Sequence, residues 1–215
     1  MRRHHADPTR SLSVAISVGS AADHDAAENS VFFTDLLSGR VGRRGYAAYL
    51  LRLRPVYEAL ERTVRAHRDD PLVAAVYDPV LERLPALDAD LEYWAPGAEE
   101  VNSPALQQYR SRLAGLSWGG AVVAHHYTRY LGDLSGGQAM ATLLDREFGL
   151  EGQGLAFYDF AVRIKPYKDA YRARLDDLGL DADDIARVVD EVKIAFRLNQ
   201  ALLDELAAES AAYRA

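Results

Sequence analysis

Tyr127 to Gln138 reads Tyr-Thr-Arg-Tyr-Leu-Gly-Asp-Leu-Ser-Gly-Gly-Gln, placing three glycines and a carboxylate inside a run with helical periodicity. A glycine in a helix interior costs roughly 1 kcal/mol relative to alanine, so Gly132, Gly136 and Gly137 together give up about 3 kcal/mol. At 3.6 residues per turn, Gly132, Ser135, Gly136 and Ala139 form one stripe without bulk. Either the backbone of another helix or a flat ligand can approach such a face. Arg129 and Asp133 lie one turn apart beside it. They read either as a surface ion pair, worth little, or as a buried carboxylate held next to the bare face.

Elsewhere apolar residues recur at spacings of three and four with few alternating β-branched runs, so the expected fold class is all-α, a single-domain helical bundle. The expected first helix runs from Ser11 to Asn29, and the second from Ser30 to Ser38, stopped by Gly39. Gly45 to Arg68 follows, kinked at Pro55. Pro71 to Tyr77 and Pro79 to Tyr93 read as short helices entered at Asp-Pro pairs, the second broken by Pro85, with a loop from Ala95 to Asn102. Pro104 to Leu116 ends at a turn around Gly119 and Gly120, and Ala121 to Phe148 carries the glycine-rich segment and should bend there. Phe157 to Leu178 and Asp183 to Ala211 complete the set, with Asp181 and Asp183 as candidate N-caps. There is no internal repeat. Residues 11–215 are expected to form the domain, and the polar segment 1–10 to be disordered.

The chain has no cysteine, which excludes disulfides, iron–sulfur clusters, thiolate-ligated haem and covalent haem attachment. A net charge of −7 disfavours general binding to nucleic acid or anionic membranes. Leu12 to Val18 is too short and serine-broken for a signal core or a membrane span, so a cytoplasmic protein without a membrane anchor is expected. A carboxylate-bridged di-iron bundle would need Glu-x-x-His motifs, yet Ala21, Val64, Val122 and Val123 stand three before His24, His67, His125 and His126. His125 and His126, about 100° apart on a helix, read as structural. Lys165, Lys168 and Arg172, at i, i+3 and i+7, give a helix a basic side.

The segment from Tyr127 to Gln138 resembles the distal-helix signature of the haem oxygenases. His24-Asp-Ala-Ala-Glu28-Asn29-Ser-Val-Phe32-Phe33-Thr-Asp-Leu-Leu-Ser-Gly39 is similar to that family's proximal helix, and Phe157-Tyr-Asp-Phe160 with Lys165, Lys168, Tyr171 and Arg172 to its later helix. Matched order and spacing extend from Ser11 to Leu206; the distal signature is the specific part.

The resemblance implies oxidative opening of haem to biliverdin, ferrous iron and carbon monoxide. Dioxygen is consumed, and a separate donor, a ferredoxin with its reductase or a flavoprotein reductase, supplies electrons. Haem b is then both substrate and cofactor. His24 is the implied iron ligand, with Glu28 on its other ring nitrogen. Asp133 is implied to organise a distal water that delivers a proton, with Arg129, Tyr57 and Asn199 holding that network and Arg129 keeping Asp133 ionised. Phe33 and Phe196 match apolar haem contacts, and Gly132, Ser135 and Gly136 the bare face above the ring. Arg172, Lys168 and Tyr127 would meet the propionates, while Lys165 reads as a solvated charge.

One position departs from the pattern. Ser17 stands where the family often has a propionate-binding lysine, which loosens the in-plane orientation of haem and the choice of meso carbon. A haem carrier or sensor without turnover is the alternative; it would need His24 and the basic rim but no proton-delivering carboxylate. A bundle whose glycine stripe packs on a partner helix would bind no haem. Iron acquisition and bilin supply use the same reaction.

Overall fold

Prolines and short polar residues set most helix starts. The computed structural model describes residues 11–214, and expectations for 1–10 lie outside them. In chain order the helices are α1 Leu12–Gly19, α2 Ala21–Glu28, α3 Val31–Leu37, α4 Arg43–Ala66, α5 Pro71–Val76, α6 Leu84–Trp94, α7 Pro104–Ala114, α8 Gly119–Phe148, α9 Ile164–Asp176 and α10 Ala182–Ala208. Pro71, Pro85 and Pro104 sit in first turns, where a missing N–H costs nothing. The side chains of Ser30, Asp70, Ser103 and Asp181 each accept a first-turn N–H. Among the described residues the only β-pairing is one antiparallel bridge between Val41 and Arg214.

Several expected boundaries shift for local reasons. The Ser11–Asn29 helix is two, because Ser20 leaves helical geometry and its hydroxyl donates to the Ile16 carbonyl at 2.8 Å. Gly19 beside it has no room for a Cβ against Val189, so the glycine lets α1 close on α10. Gly39, at φ +69°, ends α3 after Ser38 as expected. Pro55 lies within α4 without ending it. Gly119 and Gly120 are the first residues of α8, not a turn before it; a Cβ on the first would strike Asp70 and on the second Trp118. Phe157 is not helical either. It lies in a 3₁₀ turn, Ala156–Tyr158, and α9 begins only at Ile164.

One continuous apolar core runs from Leu12 to Leu206, with α8 packed on α10 and α4 on α6 and α7. Its largest members include Tyr46, Tyr57, Tyr109, Tyr130 and Tyr171. The adjacent histidines of α8 are buried and reach different neighbours. His125 Nε2 lies 2.8 Å from Glu191 of α10, whose carboxylate also accepts from Arg112; His126 Nδ1 lies 2.8 Å from the Tyr171 hydroxyl of α9. Both sit in the packing, as their placement on one helix suggested.

Burial, reinforced by Arg174, pushes the His126 pKa down to about 3. An unfolded chain protonates this residue near pH 6.5, so acid favours the unfolded state from there down to about pH 3, by up to about 1.4 kcal/mol per pH unit. His126→Gln, which can still bond Tyr171 but cannot titrate, is expected to flatten that part of the stability curve. Urea unfolding between pH 7 and pH 4 measures the slope.

Candidate functional site

A cleft of about 820 Å³ lies between α2 and α3 on one side and α8 on the other, with α4, α9, α10 and the 3₁₀ turn closing it. This is within the range of small-molecule sites, roughly 300–1,000 Å³. Gly132 and Gly136 line it, and a Cβ built on either would meet nothing within 4 Å. Gly137 differs, since its Cβ would come within 3.1 Å of Tyr158. Two glycines therefore keep space open, and the third admits a neighbour of the fold. Ala139, the last member of the bare stripe, is exposed outside the cleft, whose lining continues instead with the bulkier Met140.

Beside the bare face, Asp133 accepts a hydrogen bond from the Tyr57 hydroxyl, and Arg129 Nη2 stands 3.5 Å from its other oxygen. Arg129 also donates from Nε to Tyr57 at 3.2 Å and from Nη1 to Asn199 Oδ1 at 2.7 Å. The four residues assigned to the distal network thus meet, drawn from α4, α8 and α10. Burial raises the Asp133 pKa above the ordinary aspartate value, and Arg129 and Tyr57 only partly oppose it. Arg129 acts in the expected direction, favouring the ionised acid, against the larger effect of desolvation. Burial likewise raises Tyr57 well above 10, so it remains a donor.

Across the cleft, His24 is about half exposed and edge-on to Phe196, with ring centroids 5.6 Å apart. Its Nε2 lies 3.5 Å from Glu28 and its Nδ1 3.5 Å from Asp25. Glu28 was expected on one ring nitrogen. Asp25 was missed, although its place directly after the histidine was the available signal. Phe33 lines the cleft against Tyr49, another unanticipated wall residue, at 5.6 Å.

At the rim, Tyr127 and Arg172 line the cleft, and Lys168 donates from Nζ to Ser135 Oγ at 2.7 Å. Ser135 also donates to the Leu131 carbonyl. Lys165 is 88 % exposed and paired with Asp169, as a solvated charge should be. Ser17 lines the cleft and brings no cation.

Phe157 lines the cleft from its 3₁₀ turn and meets Tyr57 edge-on at 5.4 Å. The turn is held by buried Asp90, which accepts from the backbone N–H groups of Ala156 and Phe157, both at 2.8 Å. Sequence reasoning missed Asp90 because its partners are sixty-odd residues away and carry no charge.

The contrast among the glycines is testable in the protein without ligand. Gly132→Ala and Gly136→Ala are each expected to stabilise the chain, by up to about 1 kcal/mol from helix propensity, while weakening occupation of the cleft. Gly137→Ala should bring little gain, because Tyr158 must shift. Thermal unfolding of the three variants compares them.

The sequence matches the profile described as Heme oxygenase over residues 10–205. It is 38% identical over 205 residues to heme oxygenase 1 of Homo sapiens, covering 91% of this chain and 71% of that protein. Heme oxygenase 1 of Synechocystis is 35% identical over 202 residues, with 91% and 84% covered. The crystal structure of heme oxygenase-1 from the same cyanobacterium in complex with heme superposes with a TM-score of 0.89 at 33% identity, covering 94% of this chain and 95% of that one. Heme oxygenase from Leptospira interrogans gives 0.87 at 32% identity, covering 91% and 99%. The bare-faced cleft and its buried acid thus stand in a chain that belongs to the haem oxygenase family.

Proposed function

We propose that this chain binds haem b in the cleft between α2 and α8 and opens it to biliverdin, ferrous iron and carbon monoxide, with His24 as the residue that would hold its iron. The observation that carries this reading is the open space over Gly132 and Gly136 directly beside the buried Asp133 network. The residues fit the substrate. A flat macrocycle needs an unobstructed backbone face, an imidazole opposite and cations near its propionates, and this cleft offers Gly132 and Gly136, His24, and Arg172 with Lys168 and Tyr127.

Bound haem supplies the iron that takes up dioxygen and the meso carbon that is oxidised. The chain's own part is positioning and proton handling. Gly132 and Gly136, which carry no side chain into the cleft, would let the flat ring lie close to the α8 backbone. Asp133, with a pKa raised by burial, takes up and returns a proton nearer neutral pH than a surface aspartate does. Tyr57 and Arg129 hold its two oxygens, and Asn199 holds Arg129. Phe33 and Phe196 supply apolar contact.

Electrons come from a separate donor, a ferredoxin with its reductase or a flavoprotein reductase. No helix among the described residues is long and apolar enough to cross a membrane; the proposed site of action is the cytoplasm. A carrier or sensor has no use for a largely buried acid held by Tyr57 and Arg129, so turnover is the better reading.

One equivalent of hemin is expected to give a histidine-type Soret band that decays to a biliverdin spectrum on reduction in air, with carbon monoxide released. A stable band with active reductant would favour the carrier; no band would remove the haem reading. Asp133→Ala should cut the rate of biliverdin formation about 100-fold or more, while hemin titration still gives one site. Ser17→Lys should tighten hemin binding by roughly fivefold, as a partly exposed ion pair worth about 1 kcal/mol would, and narrow the bilin isomers resolved by chromatography.

A further inference from the structure

We propose that the haem-free chain holds one divalent first-row cation on His24, Asp25 and Glu28, and that this is where ferrous iron rests after the macrocycle has opened. The assignment of that role, though not of the site itself, rests on the haem-cleaving reading above.

The geometry of α2 carries the proposal. His24 and Glu28 are one helical turn apart and share a face, and Asp25 follows the histidine. One donor atom from each of the three lies within 4.8 Å of the others. The Nε2 to Glu28 separation of 3.5 Å is too long for a hydrogen bond. It is close to the about 3.4 Å between two ligand atoms that each sit about 2.1 Å from one ion at a tetrahedral angle. Carboxylates alone on a helix surface would be unremarkable. Here an imidazole stands between them, with Glu28 3.5 Å from Nε2 and Asp25 3.5 Å from Nδ1, so one exposed carboxylate swings round to share the ion on the other nitrogen, and all three residues line the cleft.

The local charge is also suited to a cation. Arg197 on the neighbouring α10 is engaged with Asp23 at 3.1 Å, and Ser11 to Gly39 contains no lysine or arginine. His24, Asp25 and Glu28 are all exposed, so small rotations complete the site without disturbing the core. Imidazole with carboxylate is a donor set that suits ferrous, cobaltous and zinc ions.

Chemistry gives the site a purpose. Ring opening strips iron of the rigid four-nitrogen macrocycle, and a ferrous ion still held by His24 would have the carboxylates of Glu28 and Asp25 on the same short helix as oxygen donors. While haem is bound, His24 is committed to it. Cation and haem therefore compete for one imidazole, and loading with haem should expel the cation.

The test is titration of the haem-free protein with cobalt(II), and with ferrous iron under anaerobic conditions, by calorimetry and visible spectroscopy. His4→Ala and His5→Ala in the background remove the N-terminal histidines as competitors. One site is expected, weakened at least about tenfold in Asp25→Asn/Glu28→Gln, with cobalt displaced one for one by hemin. Circular dichroism of the double variant checks that its helices are intact. No binding, binding indifferent to the double substitution, or cobalt retained beside bound hemin would each overturn the site. Hemin that binds where cobalt does not leaves the haem reading standing and removes this one; cobalt binding in a chain that takes no hemin does the reverse for the site, and removes its assigned role.

Discussion

A carboxylate shielded from bulk water is the constraint around which the distal half of the cleft is built. An isolated charge in the position of Asp133 would cost several kcal/mol. It is tolerated because Arg129 stands 3.5 Å away and Tyr57 donates to it. Each partner then needs an anchor of its own. Arg129 finds Asn199 on α10, and Tyr57 is wedged edge-on between Tyr130 and Phe157. Satisfying one acid thus fixes α4, α8 and α10 against one another. Losing one member of a buried pair typically costs about 3–5 kcal/mol, so the network is close to all-or-none.

The same logic reaches the irregular segment after α8. Phe157 must stay non-helical to present its ring edge to Tyr57, and Asp90 maintains that turn by taking two backbone donors that no helix satisfies. Tyr158 from the same turn bonds Tyr46 and lies against Gly137. Three neighbouring glycines therefore answer to two demands: Gly137 to the packing of the fold, Gly132 and Gly136 to space reserved for a ligand.

That division marks where sequence reading stops. The helical class, the Gly39 stop, the Asp181 cap and the proline-led starts were legible because each is a local backbone preference. The distal residues were legible through resemblance, since Tyr57, Arg129, Asp133 and Asn199 are brought together only by tertiary structure. Gly119 and Gly120 were read as a turn because glycine lowers helix propensity, yet close approach by Asp70 and Trp118 overrides propensity. Ser20 and Asp90 act through bonds to backbone atoms, which no pattern of apolar residues encodes. The net direction of the Asp133 shift was not legible for a related reason: its charged neighbour is visible in sequence, while the depth of its burial is not.

The two walls of the cleft differ in how they are held. The distal helix buries residues along most of its length, from Gly119 to Leu144. The eight residues of α2 include none that is buried, and a helix that short has little stability alone. It is tied to α10 by Arg197 with Asp23 and by His24 edge-on to Phe196, and exposed ion pairs of this kind are worth at most about 1 kcal/mol. A flat apolar ligand touching both walls therefore adds proportionally more to α2 than to α8, and part of its binding free energy goes into ordering that helix. By the same argument the easier wall to open is the proximal one. Asp133 and its partners stay fixed in the core, while α2, the helix that carries His24, is the one freer to yield when a ligand leaves.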